Sequence, residues 1–526
     1  MGADMAENTD GSDNWAHVSV QARRRLEDAG RLLQNGNFAA AQDACRELLS
    51  EHAEYVGALY MLGRAYMVGG NYDSALPCFF RASMLSPEDP MVLTALAEVY
   101  CELRADEAAL DAAQDALDLN PDKETAAYAH LVRGRVLERA SDYARASEHL
   151  EKALALRPDM SAAALLLGAC HMERGNRDGA ATAYAVALKG GVLPLDRAQI
   201  FCDLAQRPKA GEAKKLLSRI EALKKETSGL KTPLHDALFL GRVELARARI
   251  FEGLGRHADA WQALETGNAP FHEGYSQANQ ALQEQREPTI GRARGWNYSG
   301  PTGAVDGKDV PVTLFILGAS RSGKSMLERL AGAMKGVTLG YENELIQTSV
   351  AHVSNSSGLL SLQFPGQLPA ALYDKFSKFY VAELMKRVSG SKLFTTTHPG
   401  LIPDLGRIAE LVPNARVIFM ERDRDDTAHR IFGKLYPQNT NPFAYDVAGI
   451  YEHLDGYEQL IEAWSEHLGD ISMRVSYENM VADPKATLAK VAKLCGLPVP
   501  KGRLPKVGDD RGCAEPYFDF LNKARA

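Results

Sequence analysis

From about residue 22 to 194 the chain repeats itself every 34 residues, and no other feature limits its fold as much. The segment VGALYMLGRAYMVGGNYDSALPCFFRASMLSPED (56–89) aligns with PMVLTALAEVYCELRADEAALDAAQDALDLNPDK (90–123). Leu59, Leu62, Gly63, Tyr66, Ala75, Phe79, Ala82 and Pro87 of the first correspond to Leu93, Leu96, Ala97, Tyr100, Ala109, Ala113, Ala116 and Pro121 of the second. After a three-residue insertion Gly134, Tyr143, Ala146, Ala153 and Pro158 continue the pattern, and Leu167, Gly168, Ala180, Tyr184 and Ala187 renew it. Weaker copies cover 22–55 and 241–267, while the segment near 196–226 departs from it. Small residues at fixed places let two antiparallel helices approach, aromatic rings fill the space between them, and the proline ends the second helix.

This pattern resembles the tetratricopeptide repeat. The resemblance implies a helical solenoid over 22–290, with a concave groove for a protein or peptide partner. A scaffold or a dimerisation arm is the plainer alternative. The lysine-rich helix KAGEAKKLLSRIEALKKE (209–226) reads as a solvated face rather than a docking surface.

Residues 291–311, rich in Gly and without periodicity, read as a linker, and the pattern then changes. Strands are expected at 312–318, 392–398, 415–421 and 471–478, with helices at 324–334, 403–411, 424–434 and 484–496. Short apolar strands alternating with helices predict an α/β domain over 312–526 with a parallel sheet, whose ligands bind at the carboxyl ends of the strands.

The remaining chain properties narrow the classes. A net charge of −8 lacks the basic footprint of a nucleic-acid binder. Seven cysteines without paired spacing read as free thiols of a reducing compartment. The acidic, polar N-terminus (1–21) reads as disordered, with no signal peptide, and Ala6 spoils a myristoylation signal at Gly2. No apolar run approaches the ~20 residues of a membrane span. A cytoplasmic protein is expected.

The stretch GASRSGKS (318–325) follows the first strand and opens a helix, so its amides and the helix dipole make an anion cradle. Read as a Walker loop, Lys324 reaches nucleotide phosphates, Ser325 holds Mg²⁺ and Glu421 serves as the second acid, giving a kinase or other NTPase. Four segments in order point elsewhere: FILGASRSGKSMLERL, LGYENEL, PNARVIFMERDRDDTAHRIF and VSYENMVADP. Together they resemble the phosphosulfate loop, the Gly-Glu segment, the 3′-phosphate segment and the Tyr-Glu-x-x-Val-x-Asp-Pro run of sulfotransferases. Fused to the repeats, they resemble the bacterial repeat-containing members of that family.

That resemblance implies a P-loop-like sulfotransferase domain. Its donor is 3′-phosphoadenosine 5′-phosphosulfate (PAPS), its product 3′-phosphoadenosine 5′-phosphate (PAP), its acceptor a hydroxyl, and no metal is needed. Arg321 and the amides of Ser322, Gly323, Lys324 and Ser325 take the phosphosulfate, and Arg422 and Arg430 the 3′-phosphate. Tyr477 is a wall beside the nucleotide or a core tyrosine. Glu342 is the favoured base and His398, in TTTHP, its rival.

Three departures stand out. Thr396 or Thr397 occupies the place of a lysine, Arg430 that of a serine, and Lys324 that of a threonine. They compensate one another or leave a degenerate, non-catalytic scaffold. The segment KVGDDRGCAEPYFDF is a faint version of the family's closing loop, with Lys506 and Arg511 as its cations.

Overall fold

The computed structural model describes residues 19–525 apart from 207–209, 229–232, 304, 360–361, 363 and 438–439. Most of the expected disordered terminus (1–18), Gly2 included, lies outside the described residues. The chain forms two compact units that divide between Leu204 and Ala205.

The first unit is a series of antiparallel helix pairs: 20–34 with 38–51, 56–68 with 72–85, 90–102 with 106–118, 123–139 with 143–156, and 161–173 with 177–189. The helix Pro194–Leu204 follows them. The period is visible at three levels. The turns inside the pairs place Gly36, Gly70, Arg104, Ser141 and Gly175 at positive φ, and in all but the Arg104 turn the very next residue caps the second helix. Asn37, Asn71, Asp142 and Asn176 do so with a side-chain oxygen, satisfying an amide that helix geometry leaves orphaned. Small residues of first helices then receive large ones of second helices. A Cβ on Gly168 would lie 2.3 Å from the Tyr184 ring, and one on Gly63 2.6 Å from Phe79, so glycine sets the helix separation. Finally, Arg64–Glu98, Arg135–Glu102, Arg139–Asp106 and Arg157–Glu124 join successive repeats across about one period. These partly exposed pairs specify alignment more than they add stability.

The second unit holds a parallel five-stranded sheet of order β2-β3-β1-β4-β5, with β1 Val312–Leu317, β2 Val337–Thr338, β3 Leu393–Thr396, β4 Ala415–Glu421 and β5 Ser472–Ser476. The central strand β1 is buried over Thr313–Leu317, which accounts for its unbroken apolar run. Ile316, Leu327, Leu330, Ile418, Tyr477, Leu488 and Val491 belong to the core beneath the loop that leaves β1.

The helix pair Pro233–Gly253 and His257–Arg294, read from the sequence as a last repeat, lies in this second unit. Its second helix runs through Pro270 and Pro288 and packs along the helix Val447–Leu468. Phe271 stacks on Tyr445 at 4.8 Å, and Asn268 donates to Phe432 O at 2.9 Å. Residues read as a linker are also held down. Trp296 lies edge-on to Trp464 at 6.0 Å, Thr302 N–H donates to Glu410 O at 2.9 Å, and Asn414 donates to the carbonyls of Gly307 and Val310. Among the described residues no helix is long and apolar enough to cross a membrane.

Phe79 is fully buried against Gly63 whereas Phe80 is 50% exposed. Phe79→Ala is therefore expected to cost about 3–5 kcal/mol, seen as an earlier urea transition in the circular dichroism of the full chain. Phe80→Ala should leave that transition in place.

Candidate active site

The loop Gly318–Gly323 leaves the carboxyl end of β1, between β3 and β4, where strands on either side run to opposite edges of the sheet. Arg321 takes a left-handed conformation (φ 67°) and so does Gly323 (φ 101°), which caps the helix Lys324–Ala331. Glycine is required at 323 twice over: the φ suits no side chain, and a Cβ would meet the Tyr477 ring at 2.7 Å. Helical bonding back begins at Met326, whose amide donates to Gly323 O (3.0 Å), so the amides of Gly323, Lys324 and Ser325 precede the ladder. The fourth amide expected to face an anion is otherwise engaged, because Ser322 N–H donates to Ala319 O (3.3 Å). The Ser322 hydroxyl, by contrast, is buried and without a partner.

Lys324 is 7% exposed, and its ammonium donates to the carbonyls of Gly318 (2.8 Å) and Ala319 (2.9 Å). Burial, with Lys434 and Arg321 nearby, pushes its pKa down to about 8 against the opposing pull of Glu342. Tyr457 and Tyr436 pin the loop from outside: Tyr457 OH accepts the Gly318 amide (3.2 Å), and Ser320 shares a hydrogen bond with Tyr436 (2.8 Å).

Glu342 and His398 come to the same edge, and the charge of Glu342 acts on both Lys324 and His398. Its placement depends on a residue that sequence reasoning left without a role. Glu328, fully buried one turn into the helix, accepts from Thr395 Oγ1 (2.5 Å) and from the Tyr341 amide (2.9 Å). Tyr341 O in turn accepts from Thr397 N–H (2.8 Å), so the residue before Glu342 is fixed on both sides, at φ 54°. Burial, aided by Glu342, raises the Glu328 pKa. His398 is half-buried, and burial lowers its pKa. Its Nδ1 accepts from the Gly400 amide (3.2 Å), with Gln347 Nε2 at 3.3 Å from Nε2. Thr396 and Thr397 present buried hydroxyls without partners, as does the Gln347 carbonyl oxygen.

Arg422, Arg430 and Tyr477 assemble as a second group. The Arg422 side chain is 4% exposed and lies 4.4 Å over the Tyr477 ring, its Nη1 donating to Arg321 O (3.2 Å). Asp510 pairs with both arginines, a partner the sequence did not disclose. Arg321, Lys324, Lys434, Arg430 and Arg249 are electrostatic neighbours across the two groups. Glu421, the would-be Walker acid, is instead ion-paired with Arg474 on β5.

The depressed lysine pKa has a consequence for stability. Between about pH 8 and the ordinary lysine range the unfolded chain holds a proton on residue 324 that the folded chain has lost, so rising pH favours the fold there. Relative to Lys324→Met, the wild type should gain stability from pH 7 to pH 10, by as much as ~3 kcal/mol, measured by urea unfolding of both at each pH.

Residues 311–501 match the sulfotransferase family, and residues 32–99 and 131–191 match tetratricopeptide repeats. A protein-tyrosine sulfotransferase of Drosophila melanogaster is 24% identical over 199 residues, covering 36% of this chain and 39% of the fly protein. An uncharacterized protein of Aquifex aeolicus (strain VF5) is 21% identical over 194 residues, 35% of this chain and 25% of its own length. The chain thus spans well under half of each of these relatives. Among solved structures, MamA aligns over 31% of this chain and 93% of its own, at 25% identity and a TM-score of 0.27. The Pseudomonas aeruginosa pilF structure aligns over 40% and 93%, at 20% identity and a TM-score of 0.36. The chain is thus built of tetratricopeptide repeats followed in sequence by a sulfotransferase-family domain.

Proposed function

We propose that this protein transfers a sulfuryl group from PAPS to a hydroxyl on a protein or peptide bound by the repeats, in the cytoplasm. The observation that carries the reading is the pairing of two cationic groups of different build at one sheet edge. One is a loop of amides with Lys324 and an orphaned Ser322 hydroxyl, the other the Arg422–Arg430 pair. A donor with a phosphosulfate at one end and a 3′-phosphate at the other matches that division. When bound, it supplies a sulfuryl group and leaves as PAP.

Arg321, the amides of Gly323 to Ser325, Lys324 and the Ser322 hydroxyl would hold the phosphosulfate and neutralise charge that grows on the leaving phosphate. Arg422 and Arg430 would grip the 3′-phosphate, with Tyr477 as the wall behind Arg422. Glu342 would take the acceptor's proton. Its rival is handicapped by its contacts: Nδ1 of His398 accepts from the Gly400 amide and Nε2 is faced by the Gln347 amide nitrogen at 3.3 Å, so both ring nitrogens are engaged. His398 would then position the acceptor.

No metal enters this scheme, since cations and dipoles of the chain do the work of charge stabilisation. The Walker alternative loses its second acid to Arg474, and its lysine faces the loop's own carbonyls. A non-catalytic scaffold remains the second reading, favoured by Asp510 on the arginine pair.

Titration calorimetry in EDTA is expected to detect PAP binding to the wild type, and Lys324→Thr should abolish it. Binding of ATP only in the presence of Mg²⁺ would refute the donor assignment. With the best acceptor from a panel of tyrosine peptides and saccharides, Glu342→Gln should lower kcat by about 10²–10⁴, and His398→Gln by much less.

A further inference from the structure

Three stretches far apart in the sequence converge on one carboxylate. From the end of β4, Arg422 pairs with Asp510 Oδ1 (3.1 Å) and also donates to its backbone carbonyl (3.0 Å). From the helix Arg424–Phe432, Arg430 donates through Nε to Oδ2 (3.0 Å). From the residue after β5, the Tyr477 hydroxyl bonds Oδ1. Each carboxylate oxygen is thus taken by a different guanidinium, the arrangement by which two arginines share two oxygens of one phosphate. Burial opposes ionisation of Asp510, but the Tyr477 hydroxyl and the two guanidiniums outweigh it and hold its pKa below the usual carboxylate range.

Asp510 belongs to a strap rather than to the sheet or a helix. Residues 497–510 follow the helix Pro484–Leu494 with neither helix nor strand of their own. Beyond Asp510 the strap is tied down separately: Gly512 and Ala514 donate their amides to the two oxygens of Asp426 (2.7 and 2.9 Å). Lys501, Arg503, Lys506 and Arg511 are exposed along it, while the Asp510 side chain is 33% exposed and turned onto the arginine pair. The contact can therefore open at Asp510 while the anchor at Asp426 holds.

We propose that Asp510 is an internal competitor for the donor's 3′-phosphate: it occupies the Arg422–Arg430 fork, the phosphate binds by displacing it, and Asp510 thereby sets donor affinity. The inference rests on the donor reading above. A tethered carboxylate acts at high effective concentration, so it weakens binding of every ligand that needs the fork and of none that does not. A phosphate outcompetes it because it brings more charge and more acceptor oxygens to the same two guanidiniums. Arg422 is not stranded by the exchange, since Asp426 remains 3.8 Å away.

The test is calorimetry on full-length wild type and Asp510→Asn with two probes, PAP and adenosine 5′-monophosphate, which lacks the 3′-phosphate. The variant should bind PAP about tenfold tighter or more, with the monophosphate unchanged within about twofold. Equal or weaker PAP binding by a variant that melts like the wild type would make Asp510 a brace and overturn the proposal. If Asp510→Asn melts early, Tyr477→Phe decides. It removes one hydrogen bond that holds Asp510 on the arginine pair without removing charge and should also tighten PAP binding, and weaker binding there counts against the proposal. Failure of wild type and variants to bind either nucleotide would instead refute the donor reading itself.

Discussion

Positive charges crowded at the carboxyl edge of a sheet repel one another, and the rest of this site is arranged around that repulsion. Lys324, Arg321, Arg430, Lys434 and Arg249 act on one another there, in a chain whose net charge is −8. Two of them are answered locally, Lys324 by the carbonyls of Gly318 and Ala319 and the charge of Glu342, and Arg430, together with Arg422, by Asp510. Carbonyl dipoles neutralise without adding a competing charge, whereas Asp510 competes. The two ends of the cleft are therefore balanced by different means. An incoming anion meets amides and an ammonium at one end and an occupied fork at the other.

The two ends are also mechanically joined. The missing Cβ of Gly323 lets the Tyr477 ring approach the loop, and the other side of this contact is Arg422, stacked at 4.4 Å with its Nη1 on Arg321 O. A guanidinium over a partly desolvated ring contributes about 0.5–2 kcal/mol, enough to bias which way Arg422 points. Tyr477 is a core tyrosine at 1% exposure, with the loop against one part of its ring and Arg422 over it.

Legibility followed the length of the physical pattern. The repeats were readable because each imposes the same steric demand, small against large, several times over: Gly63 with Phe79, Gly168 with Tyr184. Strands β1 and β4 were readable as apolar runs, while β2, two residues long at Val337–Thr338, leaves no periodicity to detect. Residues 291–311 misled because Gly and Pro signal local irregularity, not lack of contacts, and Trp296 is anchored by Trp464. Within the site, Arg321, Lys324, Glu342, His398, Arg422, Arg430 and Tyr477 were all nameable from local motifs. Asp510 and Glu328 were not given their roles, because each matters only through partners brought up by the fold: Arg422 is 88 residues from Asp510, and Thr395 is 67 residues from Glu328.

The lysine at position 324 is the sharpest departure from the sulfotransferase pattern, and its geometry bears on whether the departure is a loss. An ammonium has three protons. Two are spent on Gly318 and Ala319, drawing the loop around the side chain, and one remains. A threonine hydroxyl has a single proton and no charge, so it cannot both close the loop and meet an anion. A lysine held in this way can, and with its pKa brought down to about 8 it stays largely protonated at neutral pH while being easier to discharge than a surface lysine. An anion arriving beside it would restore its charge by opposing the burial that depressed it. On the donor reading proposed above, Lys324 would couple loop closure to anion binding, and the exchange for threonine would be a change of means rather than a vestige.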